Sequence, residues 1–113
     1  MKKIVFYKNK FNRSPIEDLL DILSAKEVEK VLWVFKLIRE NTLVSTKFYK
    51  KLVNTDDIIE IRVQHAKNNF RFLGFEHEGK LIILTNAFKK KDQKTPKKEI
   101  ILAEKRKKDY LNG

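Results

Sequence analysis

Over residues 48–88 the sequence drops any helical period and falls into four successive strand-like runs, with short polar breaks between them. Residues 58–65 are the cleanest case. Ile59, Ile61 and Val63 share one side, and Glu60, Arg62 and Gln64 share the other. Residues 48–53 read as a strand before it, separated by the turn Asn54-Thr55-Asp56-Asp57. Residues 70–76 follow a hairpin loop at 66–69, with Arg71, Leu73 and Phe75 set against Phe70, Phe72 and Gly74. After a turn at 77–80, residues 81–88 form a nearly all-apolar strand, the signature of a central strand covered on both faces. Breaks this short permit only antiparallel pairing between successive strands. The expectation is a meander.

The first half is helical after one short strand at 4–7. Ser14-Pro15-Ile16-Glu17 starts a helix over 15–23: Ser14 can cap, Pro15 suits the first position, and Glu17 can close a capping box. Ser24-Ala25-Lys26-Glu27 repeats the signal for a helix over 25–41, whose core stripe is Val28, Val31, Leu32, Phe35 and Ile38. The junction at Ser24 implies a helical hairpin. Trp33 lies outside the stripe, at the core edge or against a partner; the core edge is expected. A last helix over 96–111 takes Thr95 as its cap and Pro96 as its first residue, with Ile100, Ala103 and Tyr110 inward. The order β-α-α-β-β-β-β-α gives an α+β class: a small antiparallel sheet packed by an N-terminal helical hairpin and a C-terminal helix, one domain spanning 1–113.

Composition removes several chemistries. With no cysteine there is no disulfide, no thiolate nucleophile and no Cys-bearing metal site. His65 and His77 are the only imidazoles and lie in no metal-binding spacing, so neither a metal nor a cofactor is expected. Three glycines form no phosphate-cradling loop. No stretch has the length of a membrane span or the layout of a signal peptide, so a cytoplasmic protein without membrane partners is expected. The net charge is +11, and the last 25 residues hold ten basic against four acidic side chains. Such a field favours polyanions, with membrane surfaces and acidic proteins as competitors.

The densest basic segment, from Phe88-Lys89-Lys90-Lys91 to Lys94-Thr95-Pro96, leaves the end of the apolar strand. It is either a solvated loop or a polyanion site with an aromatic beside it. Arg62 is a solvent-facing strand residue, paired with Glu60, or part of the same site. Arg71 emerges among apolar neighbours, either held structurally or aimed at a phosphate that its planar fork fits. Both arginines fall on adjacent strands and can share one face. Lys50 and Lys51 are solvated or grip phosphates; His65 is structural or a base near neutral pH. RNA carries its own nucleophile, the 2′-hydroxyl. Alignment plus cationic stabilisation can therefore cleave it without a carboxylate pair or a serine triad.

Three motifs in order carry a resemblance: Ile59-Glu60-Ile61-Arg62-Val63, Phe70-Arg71-Phe72-Leu73, and Ala87-Phe88-Lys89-Lys90-Lys91 with Gln93-Lys94-Thr95-Pro96. Across nearly its whole length the chain resembles RelE/HigB toxins of type II toxin–antitoxin systems, in particular their phage-derived HigB-like subfamily. The resemblance implies a ribosome-dependent endoribonuclease that cuts mRNA and arrests translation. Its partners would be the ribosome, mRNA and a cognate helix-turn-helix antitoxin of HigA type. It places Arg62, Arg71, Lys90 and Lys91 at catalytic positions, and Lys50, Lys51, His65, Phe88, Lys89 and Lys94 at RNA-binding ones. Two positions depart from the pattern: Asn86 stands where many relatives have histidine, and Asp92 where many have threonine. A ParE-like gyrase poison and a non-catalytic RNA-binding module are the alternative readings.

Overall fold

The computed structural model describes residues 1–91 and 94–113, so Asp92 and Gln93 of the basic segment lie outside the described residues. The elements run β1 (Lys3–Phe6), α1 (Pro15–Ile22), α2 (Ala25–Glu40), β2 (Tyr49–Lys51), β3 (Ile59–His65), β4 (Asn68–His77), β5 (Leu81–Lys89) and α3 (Lys97–Asn112). The α+β class stands. The sheet, however, is mixed: its order is β1-β5-β4-β3-β2, and β1 runs parallel to β5 while the other pairs are antiparallel. This corrects the all-antiparallel expectation. A central apolar strand has two rows of backbone groups to satisfy. β4 occupies one edge of β5, and β1 returns to occupy the other.

Ser14 accepts a hydrogen bond from the Glu17 amide at 3.1 Å, and Ser24 forms a complete capping box with Glu27. α1 then packs on β5 and β1, and α2 on β3 and β1, so each helix lies on the sheet rather than the two closing as a hairpin. The buried side of α2 is Val31, Val34, Phe35 and Ile38. Leu32 and Trp33, one expected in the stripe and one at the core edge, are instead 53% and 50% exposed. On the α1/α2 face the sheet contributes Ile59, Ile61, Val63, Phe70 and Phe72 to a dry core, with the Phe35 and Phe72 rings edge-to-face at 5.2 Å.

α3 covers part of the opposite face. Ala103 and Ile100 pack on Ile58 and Leu73, and the Tyr110 ring meets Phe75. The helix starts one residue later than the spacing predicts. Pro96 is its N-cap, and a proline ring has no oxygen to offer as a side-chain cap; the Thr95 hydroxyl, the expected cap, donates to Glu60 instead. Close passage of β4 and β5 needs Gly74: a Cβ there would collide with the Ile83 carbonyl oxygen beside the bulge in β5. No helix among the described residues is long and apolar enough to cross a membrane.

Candidate active site

Antiparallel register sets Arg62 directly opposite Arg71, and Arg71 opposite Phe88 on the next strand. Cross-strand partners share a face, so the three side chains lie on the α3 side of the sheet. Two guanidinium groups on adjacent positions repel unless something negative lies between them. Glu60, two residues before Arg62 and on the same face, supplies that charge and is fully buried.

Arg62 Nε donates to Glu60 Oε1 at 2.8 Å, and Arg71 Nε lies 3.8 Å from the same oxygen, an ion pair without a hydrogen bond. The other Glu60 oxygen accepts from the Thr95 hydroxyl. Glu60 thus ties β3, β4 and the approach to α3 together. Arg71 Nη1 donates to the Phe70 carbonyl at 3.2 Å, and its buried Nε has no hydrogen-bond partner among the described residues. Burial pulls the Arg71 guanidinium below arginine's ordinary pKa, and the Arg62 charge adds to this while Glu60 opposes it. Arginine's starting value is so high that it stays charged.

Lys90 leaves β5 beside this pair, its amide donating to Asn69 O at 2.7 Å. Its ammonium group is held below lysine's ordinary pKa, first by partial burial and then by the charge of Arg71, against Glu60, with Arg62 and Lys50 adding to the lowering. Arg62, Arg71, Lys90 and Lys50 therefore form one cationic cluster. Lys50 belongs to it because it stands opposite Glu60 in the β2–β3 register.

Beyond Lys51 and Ile59–Ile61, β2 pairs with no more of β3. The ladder is extended by one backbone bond at each end, the Arg62 amide donating to Phe48 O at 2.8 Å and the Leu52 amide to Ile58 O at 2.9 Å. The uncovered edge opens into a groove of about 410 Å³, lined by Arg62 and Arg71 together with Lys30, Lys47 and Phe48. Arg62 is kept at its rim by a long contact to Thr46 O, 3.4 Å.

Not every expected residue joins the cluster. Lys51 projects from the opposite face, opposite Ile59, where it pairs with Glu76 at 3.5 Å alongside Tyr49. Lys89 stands opposite Phe70 and also points away from the arginines. His65 continues the Ile59–Ile61–Val63 side and borders a separate pocket with Lys30 and Trp33. Phe88 packs on the Ile58–Leu73–Ala103 cluster and braces the end of β5. Lys91 and Lys94 are exposed and do not line the groove. Asn86 is buried, its amide donating to the carbonyl and carboxylate of Glu99, both at 3.1 Å, so it pins α3 to the sheet. Sequence reasoning gave Glu60 and Thr95 no site role beyond a pair and a cap. A lone carboxylate amid a run of apolar strand residues, two positions before an arginine, was the available signal.

No curated protein sequence matches the chain. The family described as Phage derived protein Gp49-like (DUF891) matches residues 18–108, which include every member of the cationic cluster. That match takes in the end of α1, all of α2, the strands β2 to β5 and most of α3. On this extent the chain belongs to the Gp49-like family of phage-derived proteins, a RelE/toxin-like family.

Proposed function

We propose that this protein is the toxin of a toxin–antitoxin pair and an endoribonuclease that cuts mRNA on the ribosome. The observation that carries the reading is the paired Arg62 and Arg71 with Lys90 beside them, four-stranded register and a buried carboxylate holding the cations together at an open groove. A site of this kind suits a phosphodiester whose charge grows in the transition state.

In the proposed reaction Lys90, in its neutral form, takes the proton from the 2′-hydroxyl. The 2′-oxygen attacks the adjacent phosphorus, and the bond to the 5′-oxygen breaks. The leaving oxygen takes a proton from solvent at the open mouth. The products are a 2′,3′-cyclic phosphate and a 5′-hydroxyl end. Arg62 and Arg71 hold the non-bridging oxygens, and Lys50, Lys91 and Lys94 contact the RNA backbone. The lowered Lys90 pKa fixes the pH dependence: the neutral fraction, and with it the rate, rises with pH up to that pKa and then levels. Asn86 is sealed under α3 and takes no part in proton transfer.

The test is purified protein added to ribosomes translating a reporter mRNA, with cleavage mapped by primer extension. New mRNA ends are expected. Arg71→Ala and Lys90→Ala should each reduce them on the order of 10²–10³-fold, the scale for removing one transition-state contact, while circular dichroism stays native. Growth arrest without new ends would sink the nuclease reading. Gyrase inhibition in that case would indicate ParE-like action, and RNA binding without cleavage a non-catalytic module. An antitoxin of helix-turn-helix type is the proposed protein partner, checked by co-purification with the product of the adjacent reading frame.

A further inference from the structure

Trp33 is the only tryptophan in the chain, and it is half exposed on α2 although the buried side of that helix is complete without it. Its ring meets the Phe48 ring edge-on, with centroids 5.7 Å apart and planes at 72°. A lysine stands over each ring: Lys30 Nζ is 4.7 Å from the Trp33 centroid and Lys47 Nζ 5.5 Å from that of Phe48. Three of these four residues, Lys30, Lys47 and Phe48, also line the groove that holds Arg62 and Arg71. Lys30 further borders the adjoining pocket of about 320 Å³ that Trp33 and His65 line, where the carboxylate of Glu29 is also present.

Aromatic faces interleaved with ammonium groups along one groove are the physical requirement for holding unpaired nucleotides: cations follow the backbone and rings take the bases. A protein surface could use the same exposed ring. The two lysines over the rings and the two arginines lining the same groove, in a chain of net charge +11, favour a polyanion with flat bases.

We propose that Trp33 and Phe48 form a base-stacking subsite for the unpaired RNA nucleotide next to the phosphate held by Arg62 and Arg71, with Lys30 and Lys47 gripping the intervening backbone. The proposal deepens the RNA-cleaving reading and rests on it. The subsite fixes which nucleotide lies beside the reacting bond, so it governs register and sequence preference, while the arginines govern the chemistry.

The single tryptophan is its own reporter. A short unpaired oligoribonucleotide with 2′-O-methyl groups cannot be cleaved, so binding is read apart from catalysis. Titration of the intact protein should quench Trp33 emission saturably, and the effect should weaken steeply with salt. A dye-labelled version read by anisotropy gives affinity independently of the tryptophan. Trp33→Ala should weaken affinity about tenfold, the order of one lost base–aromatic stack, and Trp33→Phe should recover most of it. On ribosomes Trp33→Ala should change the pattern of cut positions and raise KM more than it lowers kcat. Oligonucleotide binding with unquenched Trp33 emission, or with unchanged affinity in Trp33→Ala, overturns the subsite and leaves the nuclease reading standing. Loss of cleavage in wild-type protein with Trp33 quenching intact overturns the nuclease reading instead. Loss of antitoxin binding in Trp33→Ala, with RNA affinity unchanged, makes Trp33 a protein contact and also overturns the subsite.

Discussion

The two faces of the sheet are built on different principles. The face under α1 and α2 is dry: Ile59, Ile61, Val63, Phe70 and Phe72 meet Val31, Val34, Phe35 and Ile38. The face under α3 mixes an apolar patch around Leu73 and Ala103 with buried Glu60, Arg71 and Asn86. One face is stabilised by removing hydrocarbon from water. The other carries charge whose desolvation is offset only by partners, an arrangement that seldom adds net stability. Two helices cover the first face, whereas α3 leaves β3 beside an open groove. The contrast teaches where stability and function reside: substitutions on one face should unfold the chain, and on the other should disable it.

The largest expected effect lies on the dry face. Phe72 is fully buried and packs edge-to-face with Phe35. Phe72→Ala should cost about 3–5 kcal/mol, the range for emptying an aromatic core position, measured by urea unfolding. Protein that remains folded should retain its activity per molecule. A loss of activity exceeding the loss of folded protein would break the division between the faces.

Next is Glu60, the one position where the two principles collide. Glu60→Ala leaves Arg71 buried beside Arg62 with no counter-charge. Removing one partner of a buried pair costs roughly 3–5 kcal/mol, and the partial exposure of Arg62 lowers the expectation to about 2–4 kcal/mol. Glu60→Gln keeps an acceptor for Arg62 and should recover part of the stability. It should leave cleavage impaired, because the two guanidinium groups are then no longer drawn together. Full activity in Glu60→Gln would reduce the carboxylate to a spacer.

The same division explains what the sequence discloses. Strand period and helix caps are local, so residues 58–65 and the Ser24 capping box are readable to within a residue or so. The two-residue period also fixes which face each strand residue takes. Lys50 and Lys51 must face opposite ways, and His65 must follow Val63, so neither Lys51 nor His65 can reach the arginines without a bulge. Pairing of β1 with β5 is not local: nothing in residues 3–6 specifies a partner some 78 positions away. The role of Thr95 was hidden for a related reason. A hydroxyl before Pro96 satisfies the rule for a cap, and only the fold brings Glu60 to it. Leu32 and Val34 differ by about half a helical turn, and hydrophobicity alone does not choose between them; the direction in which α2 crosses the sheet does.

The smallest effect sharpens the contrast most. Lys90 has its pKa lowered by partial burial and by Arg71, Arg62 and Lys50, so its charge opposes folding. In the unfolded chain the same amine binds its proton at the ordinary value of 10.5. Below the folded pKa both states are protonated and the cost is fully present. Between the folded pKa and 10.5 the unfolded state holds more protons, so native stability rises with pH. Lys90→Met removes the charge and should stabilise the protein at pH 7 by about half a kcal/mol, the scale of surface substitutions. That gain should shrink as pH rises through the lowered pKa of Lys90. Melting temperatures of the two proteins, compared between pH 7 and pH 10, test both sign and slope. A variant less stable at pH 7, or a gap that does not change with pH, would mean that Lys90 contributes packing rather than repulsion. The α3 face would then be relaxed, with no stability given up for a concentrated positive charge.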